Sequence, residues 1–400
     1  MTCIEISPNI YWNGLNDRTS DLFEGLWPIT QEGVTYNSYI INDNKVALID
    51  LVKGIKTDEF LTQIEEVVDP AKVDYIVINH MEPDHTGMIK TMQKVAPRVT
   101  FIGTKKTKKM LEDYYQLDMN FQEVKSGDEI SLGHQTLVFY ETPFVHWPET
   151  MVTYEKTSKI LFSCDAFGSY GAFTGSIFDD EYEDRAFYIK EALRYDSNIV
   201  AKFSRFVLKA IDLLKELEIR IIAPSHGLVW RNPTEIVDLY KKWAEYGSQP
   251  SEKGITLLYG SMYGNTAKIM ESVAQGVSKI GLPIQIFDVA RTHVSYILPY
   301  LWKYRGILIG VPTYETKLFP PMAYVLKMAE YKRIQHKKVA RFGSFGWSGG
   351  AQRDLESRLM KLKWDFWDVF EFQGGPTAED LKKGEEFGMK FADLIRTQDD

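Results

Sequence analysis

The sequence predicts two folded units in tandem, an α+β layered sandwich followed by an α/β doubly wound parallel sheet. Three observations carry this. The chain has 400 residues, two to three times what one core fills. A polar, turn-rich seam runs from Tyr246 to Gly254. Across it the pattern changes from short β-branched runs mixed with helical periodicity to strict alternation of strand and helix.

Before the seam, strands are expected at Tyr36–Ile41, Val46–Leu51, Val73–Ile78, Val99–Ile102, Thr136–Tyr140, Met151–Tyr154 and Ile160–Phe162, each a short apolar run. Apolar residues at helical spacing predict helices over Asp58–Val68, Lys105–Tyr115 and Phe203–Leu217. After the seam the reading is strand Ile255–Tyr259, helix Ala267–Ile280, strand Pro283–Asp288, helix Ile297–Tyr304, strand Gly306–Val311 and strand Val339–Gly343. The terminal Gln398-Asp399-Asp400 reads as a frayed end.

The composition, 44% hydrophobic, 26% charged and 13% aromatic, is that of a folded chain. A net charge of −8 leaves no basic field for phosphate backbones, so nucleic acid is not expected as a partner. Cys3 and Cys164 are too few for a disulfide framework, and no C-x-x-C occurs for a zinc ribbon or rubredoxin-type site. With neither a signal-peptide pattern nor a membrane-spanning apolar run, a cytoplasmic protein without membrane association is expected.

The densest chemistry follows the strand ending near Asn79. His80-Met81-Glu82-Pro83-Asp84-His85-Thr86-Gly87 packs two imidazoles and two carboxylates into six residues. Pro83 is expected to suppress helix there, and Gly87 to let the chain turn away, so that a short loop wraps its donors around an ion. His146, Asp165 and His226 each lie just past an expected strand as well. Four of the chain's seven histidines thus fall in one set with Glu82, Asp84 and Asp165. If one carboxylate bridges, seven donors serve two metals with four protein contacts each. Nitrogen and oxygen donors without thiolate suit iron, manganese or zinc. His134, His293 and His336 have no such context.

In the second half, Ser261-Met262-Tyr263-Gly264-Asn265-Thr266 joins a strand to a helix and offers two hydroxyls and free backbone N–H groups to a phosphate. It lacks both the P-loop ending and the dinucleotide glycine pattern. Two further strand-end loops follow, Pro312-Thr313-Tyr314-Glu315 and Ser344-Phe345-Gly346-Trp347-Ser348-Gly349. Tyr314 and Trp347 there either cover a planar ring or pack in the core.

The H-x-[EH]-x-D-H run with distant His, Asp and His resembles the metallo-β-lactamase fold, an αβ/βα sandwich with a dinuclear site at one edge. Glu82 in the third motif position, where the hydrolases usually carry His, resembles the flavodiiron proteins. The Ser261–Thr266 loop resembles the [ST]-x-x-G-x-T phosphate loop of flavodoxins. The resemblance covers nearly the whole chain. It implies a metallo-β-lactamase-like diiron domain over residues 1–249 and a flavodoxin-like FMN-binding domain over 254–400. It assigns His80, Glu82 and His146 to one iron, Asp84, His85 and His226 to the other, and Asp165 as the bridge. It implies reduction of dioxygen to water, of nitric oxide to nitrous oxide, or both, with FMN and two non-haem irons as cofactors. It also implies a head-to-tail homodimer or dimer of dimers, and a separate donor that is a rubredoxin-like protein or a reduced deazaflavin coenzyme. By the same analogy Tyr195 lies in the metal pocket, and Glu24 sits near where many relatives place a pocket histidine. Two rivals are a dinuclear zinc hydrolase with an accessory flavodoxin domain, against which Glu82 argues, and a plain flavin electron carrier, against which the intact ligand set argues.

Overall fold

The computed structural model describes residues 2–117 and 119–398, and the chain divides into two compact units, residues 1–244 and 245–400. Asp399 and Asp400 of the expected frayed end lie outside the described residues.

The first unit holds two large sheets. The seven-stranded one runs in the order Ile4–Ser7, Ile10–Trp12, Tyr39–Asn42, Val46–Ile49, Tyr75–Val77, Thr100–Gly103, Asn120–Glu123. Its first pairings are antiparallel and those from Val46–Ile49 onward parallel. The five-stranded one runs Glu129–Ser131, Thr136–Glu141, Met151–Glu155, Ile160–Cys164, Ile221–Pro224, with only the last pair parallel. Val46–Ile49 and Met151–Glu155 are buried throughout, as strands covered on both faces must be. Between the sheets the Tyr39 ring meets Phe162 at 5.1 Å, and its hydroxyl donates to the Pro224 carbonyl at 2.8 Å.

Most expected strands form within a residue or two. The Tyr36–Ile41 run is instead two strands, Val34–Tyr36 and Tyr39–Asn42. Asn37 leaves the ladder to bond the other sheet's loop: its backbone N–H donates to the Ser225 carbonyl at 2.8 Å, and its Nδ2 to the carbonyls of Pro224 and Gly227. The helices form at Thr57–Glu65, Lys105–Tyr115 and Ser204–Leu214. Lys105–Tyr115 is capped by Thr104, whose hydroxyl accepts from Thr107 N–H.

The second unit is a five-stranded, all-parallel sheet in the order Ile284–Asp288, Glu252–Tyr259, Tyr304–Gly310, Lys338–Phe345, Asp365–Gln373. This is the doubly wound 2-1-3-4-5 order, with ligand loops at the C-terminal strand ends. Helices Asn265–Ile280 and Ala378–Thr397 lie against each other over this sheet. Glycines allow that approach: a Cβ on Gly276 would meet the Glu385 carbonyl at 2.0 Å, and one on Gly388 the Val273 carbonyl at 2.1 Å. Phe387, Phe391 and Ile395 then reach the strand side chains Ile255, Leu257 and Leu308.

Candidate metal centre and flavin site

Four strand ends deliver the seven donors. The His80–His85 segment follows strand Tyr75–Val77 of the larger sheet, while His146, Asp165 and His226 follow Thr136–Glu141, Ile160–Cys164 and Ile221–Pro224 of the smaller one. Asn79 secures the first loop. Its backbone N–H and side-chain amide donate to Asp50 at 2.8 and 2.9 Å, and its side-chain oxygen accepts from Thr153 at 2.7 Å. Two local expectations are corrected here. Pro83 does not suppress helix but opens the short turn Pro83–Thr86, because the first helical position needs no N–H and favours the proline φ. Gly87 does not reverse the chain, since its φ is −59°. It is needed for close packing, because a Cβ there would meet the Gly54 nitrogen at 2.5 Å.

The donor atoms converge as two trios on one carboxylate. Asp165 Oδ2 lies 3.4 Å from His80 Nε2 and 3.2 Å from His146 Nε2, and both rings also face Glu82 Oε2, at 3.3 and 3.0 Å. Asp165 Oδ1 lies 3.0 Å from His85 Nε2 and 3.4 Å from His226 Nε2, and those rings also face Asp84, at 3.4 and 3.3 Å. His80, Glu82, His146 and Asp165 therefore form one group with metal-ligand geometry, and Asp84, His85 and His226 another.

Burial disfavours charge on each ring, but the neighbouring carboxylates prevail, pushing His146 up to about 9 and His226 up to about 10. Burial likewise opposes charge on Glu82 and Asp165, yet the imidazoles hold both below the ordinary range. Both oxygens of Asp84 and of Asp165, both nitrogens of His85, and Nε2 of His226 are buried without a well-aligned hydrogen bond. Donors that crowd to 3.0–3.4 Å without pairing aim at shared points rather than at one another. That arrangement fits two divalent cations taking the place of protons. Cys164 also falls with His85 and Asp165 in a group of closely spaced donors, and burial, then Asp165, push its thiol well up.

Residues that the sequence reading did not single out aim the rings. His80 Nδ1 donates to Glu149 Oε1 at 2.8 Å, and the same oxygen accepts from Met81 N–H at 2.9 Å. His226 Nδ1 donates to the Thr35 carbonyl at 2.6 Å. Each bond turns Nε2 toward the centre. Nothing in the residue type or spacing marks Glu149, and a backbone carbonyl such as that of Thr35 carries no sequence signal at all. Phe23, Tyr36 and Tyr195 pack around His226, with ring centroids at 5.3, 5.6 and 5.5 Å. Glu24 is exposed as a residue, but its carboxylate accepts from Trp27 Nε1 at 2.9 Å, and burial of that end, followed by the charge of Glu82, pushes it up to about 7.

In the second unit, Ser261 Oγ accepts from the N–H groups of Gly264 and Ala267 and closes the first loop over the start of helix Asn265–Ile280. Gly264 takes φ +86° there. Thr266 and Ser344 meet at 3.2 Å, which joins the first loop to the third. Thr313–Tyr314 is a small hairpin strand paired with Lys317–Leu318 rather than a plain loop. Tyr314 and Trp347 are both exposed, Trp347 at 91%, so neither is a core aromatic. A Cβ added at Gly264, Gly346 or Gly349 would meet nothing within 4 Å. An open cradle of backbone at parallel strand ends, with a helix N-terminus and two exposed aromatics, fits a phosphorylated planar ring. His134 pairs with Asp43, and His293 caps the helix Val294–Lys303.

Residues 34–227 match the family described as ODP family beta lactamase, and residues 257–388 match flavodoxin. The chain is 34% identical to a nitric oxide reductase of Moorella thermoacetica, over 98% of each protein. Its structure is similar to the rubredoxin oxygen:oxidoreductase of Desulfovibrio gigas, with a TM-score of 0.92 and 29% identity over 99% of both chains. The flavodiiron protein of Giardia intestinalis gives a TM-score of 0.92 at 27% identity, over 99% of this chain and 97% of that one.

Proposed function

The chain belongs to the flavodiiron proteins, and from that premise we propose that it reduces dioxygen to water, nitric oxide to nitrous oxide, or both, at a non-haem diiron centre supplied by FMN. It is an oxidoreductase with a metallo-β-lactamase-like part followed by a flavodoxin-like part, and the hydrolase alternative is not favoured. The observation that carries the reading is the Asp165 carboxylate, whose two oxygens face two separate trios of donors.

His80, Glu82 and His146 would hold one iron and Asp84, His85 and His226 the other, with Asp165 between the two sets. When bound, the two irons and reduced FMN together supply the four electrons that dioxygen reduction needs, and more than the two that coupling of two nitric oxides needs. Glu149 and the Thr35 carbonyl keep His80 and His226 in register, so the donor set is preorganised. Phe23, Tyr36 and Tyr195 form an aromatic wall beside His226. Trp27 keeps the Glu24 carboxyl beside Glu82. Ser261–Thr266 would take the FMN phosphate, and Pro312–Glu315 and Ser344–Gly349, with Tyr314 and Trp347, would hold the ring.

The functional division is residues 1–249 for the diiron part and 254–400 for the FMN part. A head-to-tail homodimer, alone or as a dimer of dimers, brings one chain's flavin to its partner's irons. The donor is a rubredoxin-like protein or a reduced deazaflavin coenzyme. Both cysteines are free thiols, which supports a cytoplasmic location. Among the described residues no helix is long and apolar enough to cross a membrane.

Metal and flavin analysis of the purified protein, with electron paramagnetic resonance after partial reduction and turnover assays with each gas, tests the reading. About two irons and one FMN per chain, a spin-coupled diiron signal and consumption of either gas are expected. Two zincs, a silent spectrum and no turnover would overturn it.

A further inference from the structure

Two neighbouring cavities lie beside helix Ser204–Leu214 in the first unit. The outer one, of about 320 Å³, is lined from strand Ile160–Cys164 and from helices Ser204–Leu214 and Pro233–Glu245. Lys215, Thr234 and Asp238 are exposed and mark its opening, while Leu161, Phe167 and Leu214 are buried and mark its depth. The inner one, of about 20 Å³, is lined by Val145, Val152, Ala166, Val207 and Ala210. Phe167, Ile211 and Leu214 line both, so the same side chains wall one cavity from the other. Val145 and Ala166 are the chain neighbours of His146 and Asp165, so the inner cavity comes within one residue of two candidate metal ligands.

Packed interiors hold few voids larger than a water molecule, and each forfeits dispersion contacts along its lining. Two that share a wall and run from the surface toward the donor cluster call for an occupant. One polar side chain lines the inner cavity, Thr142, whose buried hydroxyl has no hydrogen-bond partner. A buried water needs about two to four polar partners, and one hydroxyl does not supply them. The space is large enough for a molecule of about water size, and its lining suits an uncharged one. Phe167 is fixed in the shared wall. Its φ is +67°, uncommon for a bulky residue, its carbonyl accepts from Trp230 Nε1 at 3.0 Å, and its ring meets Tyr240 at 5.2 Å.

We propose that the two cavities are a route by which a small uncharged diatomic gas, dioxygen or nitric oxide, reaches the donor cluster, with Phe167, Ile211 and Leu214 as the constriction between them. The proposal rests on the functional reading above, which supplies the substrate, and adds the path. Ala210 sets the width of the inner cavity, since a longer side chain there fills it from the helix.

The test pairs xenon-pressurised crystals of the protein loaded with iron and FMN with stopped-flow reoxidation of the reduced protein by dioxygen. Xenon is expected in both cavities of the wild type. Ala210→Leu should exclude the inner xenon and slow reoxidation about tenfold, with iron and FMN content unchanged. Ala210→Val fills less of the space and keeps the comparison if Ala210→Leu does not fold. No xenon in the inner cavity of the wild type, or equal reoxidation rates in the wild type and the filled variant, would overturn the route. A wild type without iron, or without turnover of either gas, would overturn the functional reading and the route with it.

Discussion

Glu149 offers a way to remove the support of one metal position while leaving all seven donors in place. One carboxylate oxygen, Oε1, accepts from His80 Nδ1 at 2.8 Å and from Met81 N–H at 2.9 Å, and the residue is fully buried. Glu149→Ala deletes two hydrogen bonds to a charged acceptor, each worth about 1.5–3 kcal/mol, and leaves a buried N–H unpaired. Much of that cost falls on folding. The share that falls on the site is the freedom His80 gains to rotate or change tautomer, for which losses of outer-shell partners set a scale of about 10–100-fold in metal affinity. That is about 1.4–2.7 kcal/mol. Because Glu149 bonds only the ring of the His80, Glu82, His146 trio, that iron should be lost first. The assay is iron retained per chain against graded chelator, read beside dioxygen turnover and thermal stability. Glu149→Gln keeps an oxygen that can accept both bonds and should retain most of its iron. Equal iron retention in Glu149→Ala and wild type, or equal loss from the Ala and Gln variants, would refute the argument.

Three further outcomes are expected. Trp347→Ala should weaken FMN binding by about tenfold, the loss of one aromatic face, as read by fluorescence titration of the flavin-free protein; unchanged affinity would remove Trp347 from the ring site. Asp196 is 1% exposed, its Oδ2 has no partner, and burial pushes its carboxyl well up. A carboxyl whose folded pKa is raised contributes fully below the unfolded value, about 3.9, and that stability is lost as pH rises toward the folded pKa, so Asp196→Asn should raise the melting temperature at pH 7 and lose this advantage near pH 4. A lower melting temperature for the variant at pH 7 would contradict this. Gly87→Ala places a Cβ 2.5 Å from the Gly54 nitrogen, and should cost about 1–3 kcal/mol, or about 2–4 °C of melting temperature per kcal/mol, with loss of iron because the turn carrying Asp84 and His85 must shift.

What could be read from the residues follows what they do locally. Strand ends bearing His, Asp and Glu, and a parallel sheet announced by alternating apolar runs, are visible because both the donors and the periodicity lie in consecutive positions. The residues that aim the site are not. Glu149 is one glutamate among many until the fold carries it 69 positions back to His80. The Thr35 carbonyl is reached by His226 across 191 positions. The π-helical turn Asp196–Val200 buries Asp196, Ser197 and Asn198, which composition alone would place at the surface. Pro83 misleads because the same residue breaks a helix inside it and starts one at its first position. Gly87 misleads because its need is for room beside Gly54, a contact between distant segments, and not for its own φ.

Candidate ligands from both sheets of the first unit converge, His80 to His85 from one and His146, Asp165 and His226 from the other. An ion bound there fastens the sheets to each other, and binding to the folded state alone deepens its stability by RT ln(1 + [L]/Kd). Among the described residues, the parallel sheet of the second unit contributes no donor to these groups. Iron supply therefore sets the resistance of the first unit to heat and proteolysis. A cell short of iron would accumulate not an idle enzyme but one whose first half is degraded faster, so that the amount of protein itself follows the availability of its metal.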